Sequence, residues 1–231
     1  MNARVYIDGF NLYYRAVKNT SYKWLDLRKM CELIYPEYSI GLIKYFTARV
    51  SARKTDPSKP VRQQIYLRAI RTIPDLEIIV GQYRSRDAFM PLSTPILGNG
   101  AIIKVIRKSL RRMGYDNTFL EKRRIVKVIK TEEKGSDVNL ATHLLIDGFT
   151  GQYHAAIVVS NDSDLVAPIL YVRDILGFPV MVLNPDDSTT SKVLARSSSG
   201  VRHIRKGVLS ISQFPTELTD RKGKFYKPNT W

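Results

Sequence analysis

Two β-branched apolar runs in this chain stop at or just before an aspartate: Val5-Tyr6-Ile7-Asp8-Gly9-Phe10-Asn11 and Val158-Val159-Ser160-Asn161-Asp162-Ser163-Asp164. A buried parallel strand ends this way where its loop begins. A third segment, Lys134-Gly135-Ser136-Asp137-Val138-Asn139, delivers another carboxylate where a helical pattern starts. Ligands of open α/β sheets bind outside the carboxyl ends of the strands. These acids, rather than the more numerous basic residues, therefore mark where chemistry is expected.

The rest of the chain supplies a frame for them. Residues 4–8 read as a first strand, 11–17 as a helix, and 22–35 as a second helix stopped by Pro36. Residues 40–46 form a second strand that runs into Thr47-Ala48-Arg49. The next helix carries Ile65, Tyr66, Ala69, Ile70 and Ile73 on one face and Arg62, Arg68 and Arg71 on the other. Residues 76–81 are a third strand, and residues 84–122 a basic insertion with prolines and glycines, expected as a hairpin or short basic helix. Residues 124–130 mix basic and apolar positions as a half-buried strand does. The following helix places Val138, Ala141, Leu144 and Leu145 on one side, with Ser136 as its N-cap. A strand at 155–160, a helix at 165–176, a strand at 180–183 and a short helix at 193–196 complete a domain over residues 1–205. The basic tail, residues 206–231, is expected as an arm or as a late strand on the sheet edge. Strands alternating with helices predict a three-layer α/β/α sandwich with a mostly parallel central sheet.

Composition narrows the class of partner. With 37 Lys+Arg against 21 Asp+Glu, the 231-residue chain has a formal net charge of +16, which suits a polyanion such as nucleic acid. The one cysteine, Cys31, lies in an apolar stretch and excludes a disulfide framework. His143, His154 and His203 are scattered, without zinc-finger spacing. No apolar run nears the roughly 18 residues of a membrane span and no signal-peptide pattern opens the chain, so a cytoplasmic location is expected.

The segments Tyr6-Ile7-Asp8-Gly9-Phe10-Asn11, Glu133-Lys134-Gly135-Ser136-Asp137-Val138 and Val159-Ser160-Asn161-Asp162-Ser163-Asp164-Leu165 resemble, in order and spacing, those of the NYN family, PIN-like nuclease domains of the LabA/DUF88 type. The resemblance covers residues 1–205. It implies a PIN-like fold and, for catalytic members, divalent-metal-dependent cleavage of RNA. It also carries a less favoured alternative, NADH-dependent hydroxylation of a pyridine ring, and a third, an RNA-binding protein with an idle site. No G-x-G-x-x-G turn follows the first strand to hold a dinucleotide.

Phosphodiester hydrolysis needs an activated water and stabilisation of charge on phosphoryl oxygens, which Mg²⁺ or Mn²⁺ supplies. Such ions take one or two carboxylates, with water and phosphate completing the shell. Asp8 and Asp162 are the expected direct ligands. Asp137 is expected to ligate through water or to hold a second ion, and Asp164 is a fourth catalytic candidate that a helix-cap role would equally explain. Asn11, matched to the family's Asp-x-x-Asn pattern by resemblance alone, would orient phosphate or water or cap the first helix. Ser160 and Asn161 are phosphate-binding candidates, and Glu133 is a possible extra acid. Lys134, Arg49, Arg53, Lys54, Arg123 and Arg124 are candidate RNA contacts, as are Lys108, Arg111 and Arg112 in the insertion. Each acid also has a plainer reading, as a turn former or helix N-cap. The nuclease expectation requires Asp8, Asp137 and Asp162 to converge within reach of one hydrated ion. The sequence sets no oligomeric state, and a homodimer is compatible with it.

Overall fold

The computed structural model describes residues 1–52, 55–91, 108–109, 111–114, 125–186 and 191–231, including all of their side chains except those of residues 83–85, 91, 125–126 and 129–134. It contains two compact units, Met1–Tyr83 with Glu133–Trp231, and Arg84–Glu132. The strands are β1 (Asn2–Asp8), β2 (Ser39–Ala48), β3 (Leu76–Pro91), β4 (Ile125–Lys134), β5 (Ala155–Val159), β6 (Val180–Asn184) and β7 (Gly200–His203). Six of them form a parallel sheet in the order β3-β2-β1-β5-β6-β7, with β4 next to β3. The chain thus builds outward from β1 through β2 to β3, returns to the centre with β5, and continues the other way. The reversal falls between β1 and β5, the crevice where open α/β sheets bind their ligands.

Helices cover both faces. On one side α2 (Leu27–Ile34) and α3 (Lys59–Ile70) pack on Val5, Ile7, Ile43 and Tyr45; on the other, α4 (Ser136–Phe149) and α5 (Val166–Leu170) pack on Tyr6, Phe46, Val158 and Val182. Every residue of β5 is buried, the reason its sequence is a continuous apolar run rather than an alternating one. Two helices continue in π-helical turns, α1 (Gly9–Leu12) through Tyr13–Val17 and α5 through Tyr171–Ile175. Among the described residues no helix is long and apolar enough to cross a membrane.

The structure differs from the sequence reading at several places. The second helix begins at Leu27, not residue 22, because the Asp26 carboxylate caps it by accepting the Lys29 N–H at 3.1 Å. Trp24 and Leu25 are buried ahead of it in an extended approach, Leu25 bridging to Gln213. In α4 the cap is Gly135, at φ +98°, and Ser136 is already helical; a side chain at Gly135 would be strained in that left-handed conformation. Leu140, Leu144 and Asp147 are among the buried positions of α4, whereas Val138 is exposed. β3 runs on to Pro91, beyond the expected end at residue 81.

In the second unit the outer part of β3 and most of β4 carry an ion pair, Asp87 with Lys127 at 2.7 Å. Of the expected insertion, residues 84–91 belong to β3 and the described helical positions include Lys108, Arg111 and Arg112; the rest lies outside the described residues.

The tail is neither a loose arm nor a strand on the sheet edge. It forms α7 (Lys206–Ile211), following α6 (Lys192–Ser197), and then a separate antiparallel hairpin of β8 (Glu217–Asp220) and β9 (Gly223–Tyr226). Phe214, Phe225 and Trp231 pack around the fully buried Trp24, with ring centroids 5.8, 6.4 and 6.3 Å away. Arg68, expected on a solvated face, instead makes a two-point contact with Asp220 at 2.7 and 2.6 Å and lies 4.1 Å over the Phe225 ring.

Candidate active site

Ile7 pairs with Val159 at the end of the β1–β5 ladder, so the next residues along, Asp8 and Ser160, emerge side by side at the carboxyl edge. Asp8 is 5% exposed and caps α1. Its Oδ1 accepts the Phe10 and Asn11 N–H groups at 3.1 and 2.9 Å, and its Oδ2 accepts the Ser160 hydroxyl at 3.1 Å. Ser160 Oγ in turn accepts the Asp162 N–H at 3.1 Å. Asp162 caps the following 3₁₀ turn, Ser163–Leu165, by accepting the Asp164 N–H at 3.0 Å. The expected cap role of Asp164 thus belongs to Asp162, and Asp164 is exposed in the turn it opens.

Asn11 does not cap the first helix. Its Oδ1 accepts the Asn161 N–H at 3.2 Å, and Asn161 Oδ1 accepts the Ser191 N–H at 2.9 Å, so two amides join the loops after β1, β5 and β6. Burial is the main influence on Asp8 and raises its pKa above the ordinary carboxylate value; the Asn11 N–H and the Ser160 hydroxyl oppose the rise, while the charge of Asp162 adds to it. Both strand-end aspartates are helix caps, the plainer reading, and one hydroxyl also links them.

Asp137 lies in the first turn of α4, which runs antiparallel to the strands. Near the other end of α4, Asp147 meets Tyr6 Oη at 2.7 Å, Lys44 Nζ at 2.7 Å and Arg4 at 3.1 Å. One turn earlier His143 packs on Phe46, which is in register with Asp8. Asp137 precedes His143 by six positions, about 9 Å of helix at 1.5 Å per residue, and so stands beyond the level of Asp8 at the carboxyl end. Among the described residues no three His, Cys, Asp or Glu side chains form a group that could hold a metal ion, so the expected convergence of Asp8, Asp137 and Asp162 is not found. The donors present, the Asp8 carboxylate and the Asp162 carboxylate whose backbone N–H shares the Ser160 hydroxyl, would suit an ion bound by one or two carboxylates and water, not a closed cage.

Arg49 is exposed just past the end of β2, at the same edge as Asp8. Lys134 ends β4, but its side chain, like that of Glu133, lies outside the described residues, as do Arg53, Lys54, Arg123 and Arg124 altogether. Sequence reasoning passed over Asn184 and Asp186 as a simple turn. Asn184 is fully buried at the end of β6 and accepts the Asp186 N–H at 2.9 Å; Asp186 pairs with Arg15 at 3.2 Å, and its carbonyl lies 2.9 Å from His203 Nδ1. The signal was the same one that flagged Asp8: an apolar strand, Val182-Leu183, ending in a polar residue.

The NYN domain matches residues 2–204 of the chain. The chain belongs to the NYN family. All of this NYN chain aligns, at 30% identity, with 75% of the length of a Pseudomonas putida protein named 6-hydroxy-3-succinoylpyridine 3-monooxygenase HspA. The fold of the NYN chain is similar to that of a Vibrio parahaemolyticus protein of unknown function, with a TM-score of 0.51 and 13% identity over 89% of this chain and 93% of that one.

Proposed function

We propose that this NYN protein is a divalent-metal-dependent ribonuclease. The observation that carries the reading is the Ser160 hydroxyl at the β1–β5 switch, which donates to the Asp8 carboxylate and accepts the Asp162 backbone N–H, holding the two aspartates at one strand end. In this reading Asp8 and Asp162 hold a Mg²⁺ or Mn²⁺ ion, with Asp137 reached through water or through a second ion. When bound, such an ion lowers the pKa of a coordinated water and offsets charge on phosphoryl oxygens. The chain's own residues prepare the place: Ser160 fixes the Asp8 carboxylate, and Asn11 holds the Asn161 backbone beside it. Arg49 supplies an exposed cation at the same edge for RNA phosphates. The excess of basic residues steers RNA to the site, so binding should weaken steeply with added salt. The test is cleavage of single-stranded and structured RNA with Mn²⁺. Cleavage should stop with EDTA and in an Asp8→Asn, Asp162→Asn double variant; unchanged cleavage by that variant would refute the reading.

A second reading, hydroxylation of a heteroaromatic ring, is favoured by the whole-chain similarity to the P. putida protein named as a monooxygenase. In dinucleotide-binding sheets the cofactor pyrophosphate sits on the helix N-terminus after the first strand. Here the Asp8 carboxylate occupies that N-terminus, a poor fit for a pyrophosphate. NADH consumption with a hydroxypyridine substrate, retained in an Asp8→Asn variant, would favour this reading over the nuclease.

A further inference from the structure

Residues 135–172 contain no lysine or arginine, in a chain that has 37 of them among 231 residues. That gap supplies most of two helices, α4 and α5 with its π-helical turns, whose one basic side chain is Arg173. Arg173 is committed elsewhere: its guanidinium donates to the neighbouring Asp174 at 2.6 Å and to the Arg196 carbonyl at 3.0 Å. The outward sides of the same helices are apolar. Ile146 and Phe149, three positions apart on α4, are 53% and 61% exposed, and Tyr171 and Ile175, four apart on the turns after α5, are 42% and 66% exposed. Phe149 and Tyr171 join the two rows, their ring centroids 5.6 Å apart. Thr142 and Ala167, one turn earlier on each helix, are exposed and extend the rows. Apolar side chains scattered singly over a surface need no explanation, whereas a contiguous group marks an interaction site.

We propose that Ile146, Phe149, Tyr171 and Ile175 form a homodimer interface, on which a second copy of the chain packs the same two helices about a twofold axis. The chemistry of the face selects that occupant. Nucleic acid needs cations for its phosphates, and helices that lie on anionic membranes carry lysine and arginine beside their apolar side; the outward side of α4 and α5 supplies neither. Two copies, each with a formal net charge of +16, repel where basic surfaces meet, and these helices let them approach without setting cation against cation. The four side chains expose roughly 400–500 Å² per copy, in the range of the largest apolar patches on monomers. Paired, they bury roughly 900 Å², and Thr142 and Ala167 carry the total to the roughly 1,000 Å² that a specific interface needs. A twofold axis is the commonest way to close a self-complementary patch. The position also suits a dimer that works. α4 and the π-helical turns after α5 end where the chain leads into β5 and β6, so the patch lies toward the amino ends of the strands, whereas Asp8 and Asp162 stand at the carboxyl ends. Pairing therefore leaves the candidate active site of each copy uncovered.

Sedimentation velocity of the full-length protein, cleared of nucleic acid and followed over about 1–100 µM, tests the interface, since a dimer's population depends on protomer concentration. A monomer–dimer equilibrium should appear. Raising NaCl from about 0.1 to 0.5 M should tighten it, because salt screens the mutual repulsion of two basic chains. Phe149→Arg and Ile175→Arg each bring like charges together across the twofold axis and should weaken the dimer by at least about thirtyfold. Both positions are exposed, so the melting temperature of each monomer should stay unchanged. Ile211→Arg places the same charge at another exposed apolar position, on α7, and should leave the dimer intact. A monomer at every concentration overturns the proposal, as does a dimer that persists in both face variants or that Ile211→Arg weakens equally. So does a dimer that dissociates as salt rises, which would assign the association to charged surfaces instead of the apolar face.

Discussion

The Ser160 hydroxyl donates to Asp8 Oδ2 at 3.1 Å while accepting the Asp162 N–H at 3.1 Å. One side chain thereby sets the orientation of the first carboxylate and the position of the second. On the nuclease proposal, Ser160→Ala should reduce Mn²⁺-dependent RNA cleavage by roughly ten- to a hundredfold, since a hydrogen bond to a charged group contributes about 1.5–3 kcal/mol. The hydroxyl opposes the raised pKa of Asp8, so its loss should also move the acidic limb of the pH–rate profile to higher pH. A profile that falls in height without shifting would show that Ser160 acts on something other than Asp8.

Asp8 should cost the fold stability at neutral pH. Its folded pKa is raised, chiefly by burial, so the folded state binds this proton more tightly than the unfolded state. Stability from this group therefore declines as pH rises from the unfolded pKa through the folded one. Asp8→Asn keeps an oxygen to cap α1 and removes the buried charge. It should leave the melting temperature at pH 7 equal to or above that of the wild type and, on the metal-binding proposal, abolish the rise expected with Mn²⁺. Differential scanning calorimetry with and without Mn²⁺ checks both; a marked drop in melting temperature would mean that the cap geometry outweighs the desolvated charge.

Asp147 has the opposite sign. Burial raises its pKa, but Lys44, Tyr6 and Arg4 together outweigh burial and hold it below the ordinary 3.8. Its stabilisation is complete above the unfolded pKa and is lost as pH falls through the folded value. Asp147→Ala strands the buried Lys44 ammonium, only 6% exposed, beside His143 at 3.2 Å. Removing one partner of a buried pair costs about 3–5 kcal/mol. Urea unfolding at pH 7 should show that loss, and Asp147→Ala with Lys44→Met should recover part of it.

Gly9 is fixed by a close approach. A Cβ there would fall 2.5 Å from the Tyr45 ring, 2.6 Å from its hydroxyl and 2.7 Å from the Phe46 carbonyl oxygen. Gly9→Ala should destabilise the protein by about 1–3 kcal/mol, the usual cost of overpacking. An unchanged melting temperature would show that Tyr45 swings away freely.

How much of this was legible in the sequence depended on how local the cause was. The centre of the sheet was readable because burial on both faces demands a continuous apolar run, and Ala155–Val159 has no exposed position. The helix start at Leu27 was readable in principle from Asp26, but the apolar Trp24 and Leu25 masqueraded as its first turn. They are buried by Phe214 and Gln213, nearly two hundred positions away, a cause no local pattern carries. The hairpin β8–β9 was hidden for the same reason, since Arg68 and Asp220 look like solvated charges until they meet. In the site, strand-end position was legible for Asp8, Ser160 and Asp162. The link from Asn11 through Asn161 to Ser191 was not, because it joins loops far apart in the sequence.

The sheet centre joins distant parts of the chain: Asp8 and Ser160 touch across 152 positions. During synthesis, which proceeds from the N-terminus at about 5–20 residues per second, β1 leaves the ribosome long before its neighbour β5 exists. Whatever chemistry the Asp8–Asp162 pair performs is therefore absent from the nascent chain and switches on only once β5 has slotted in beside β1.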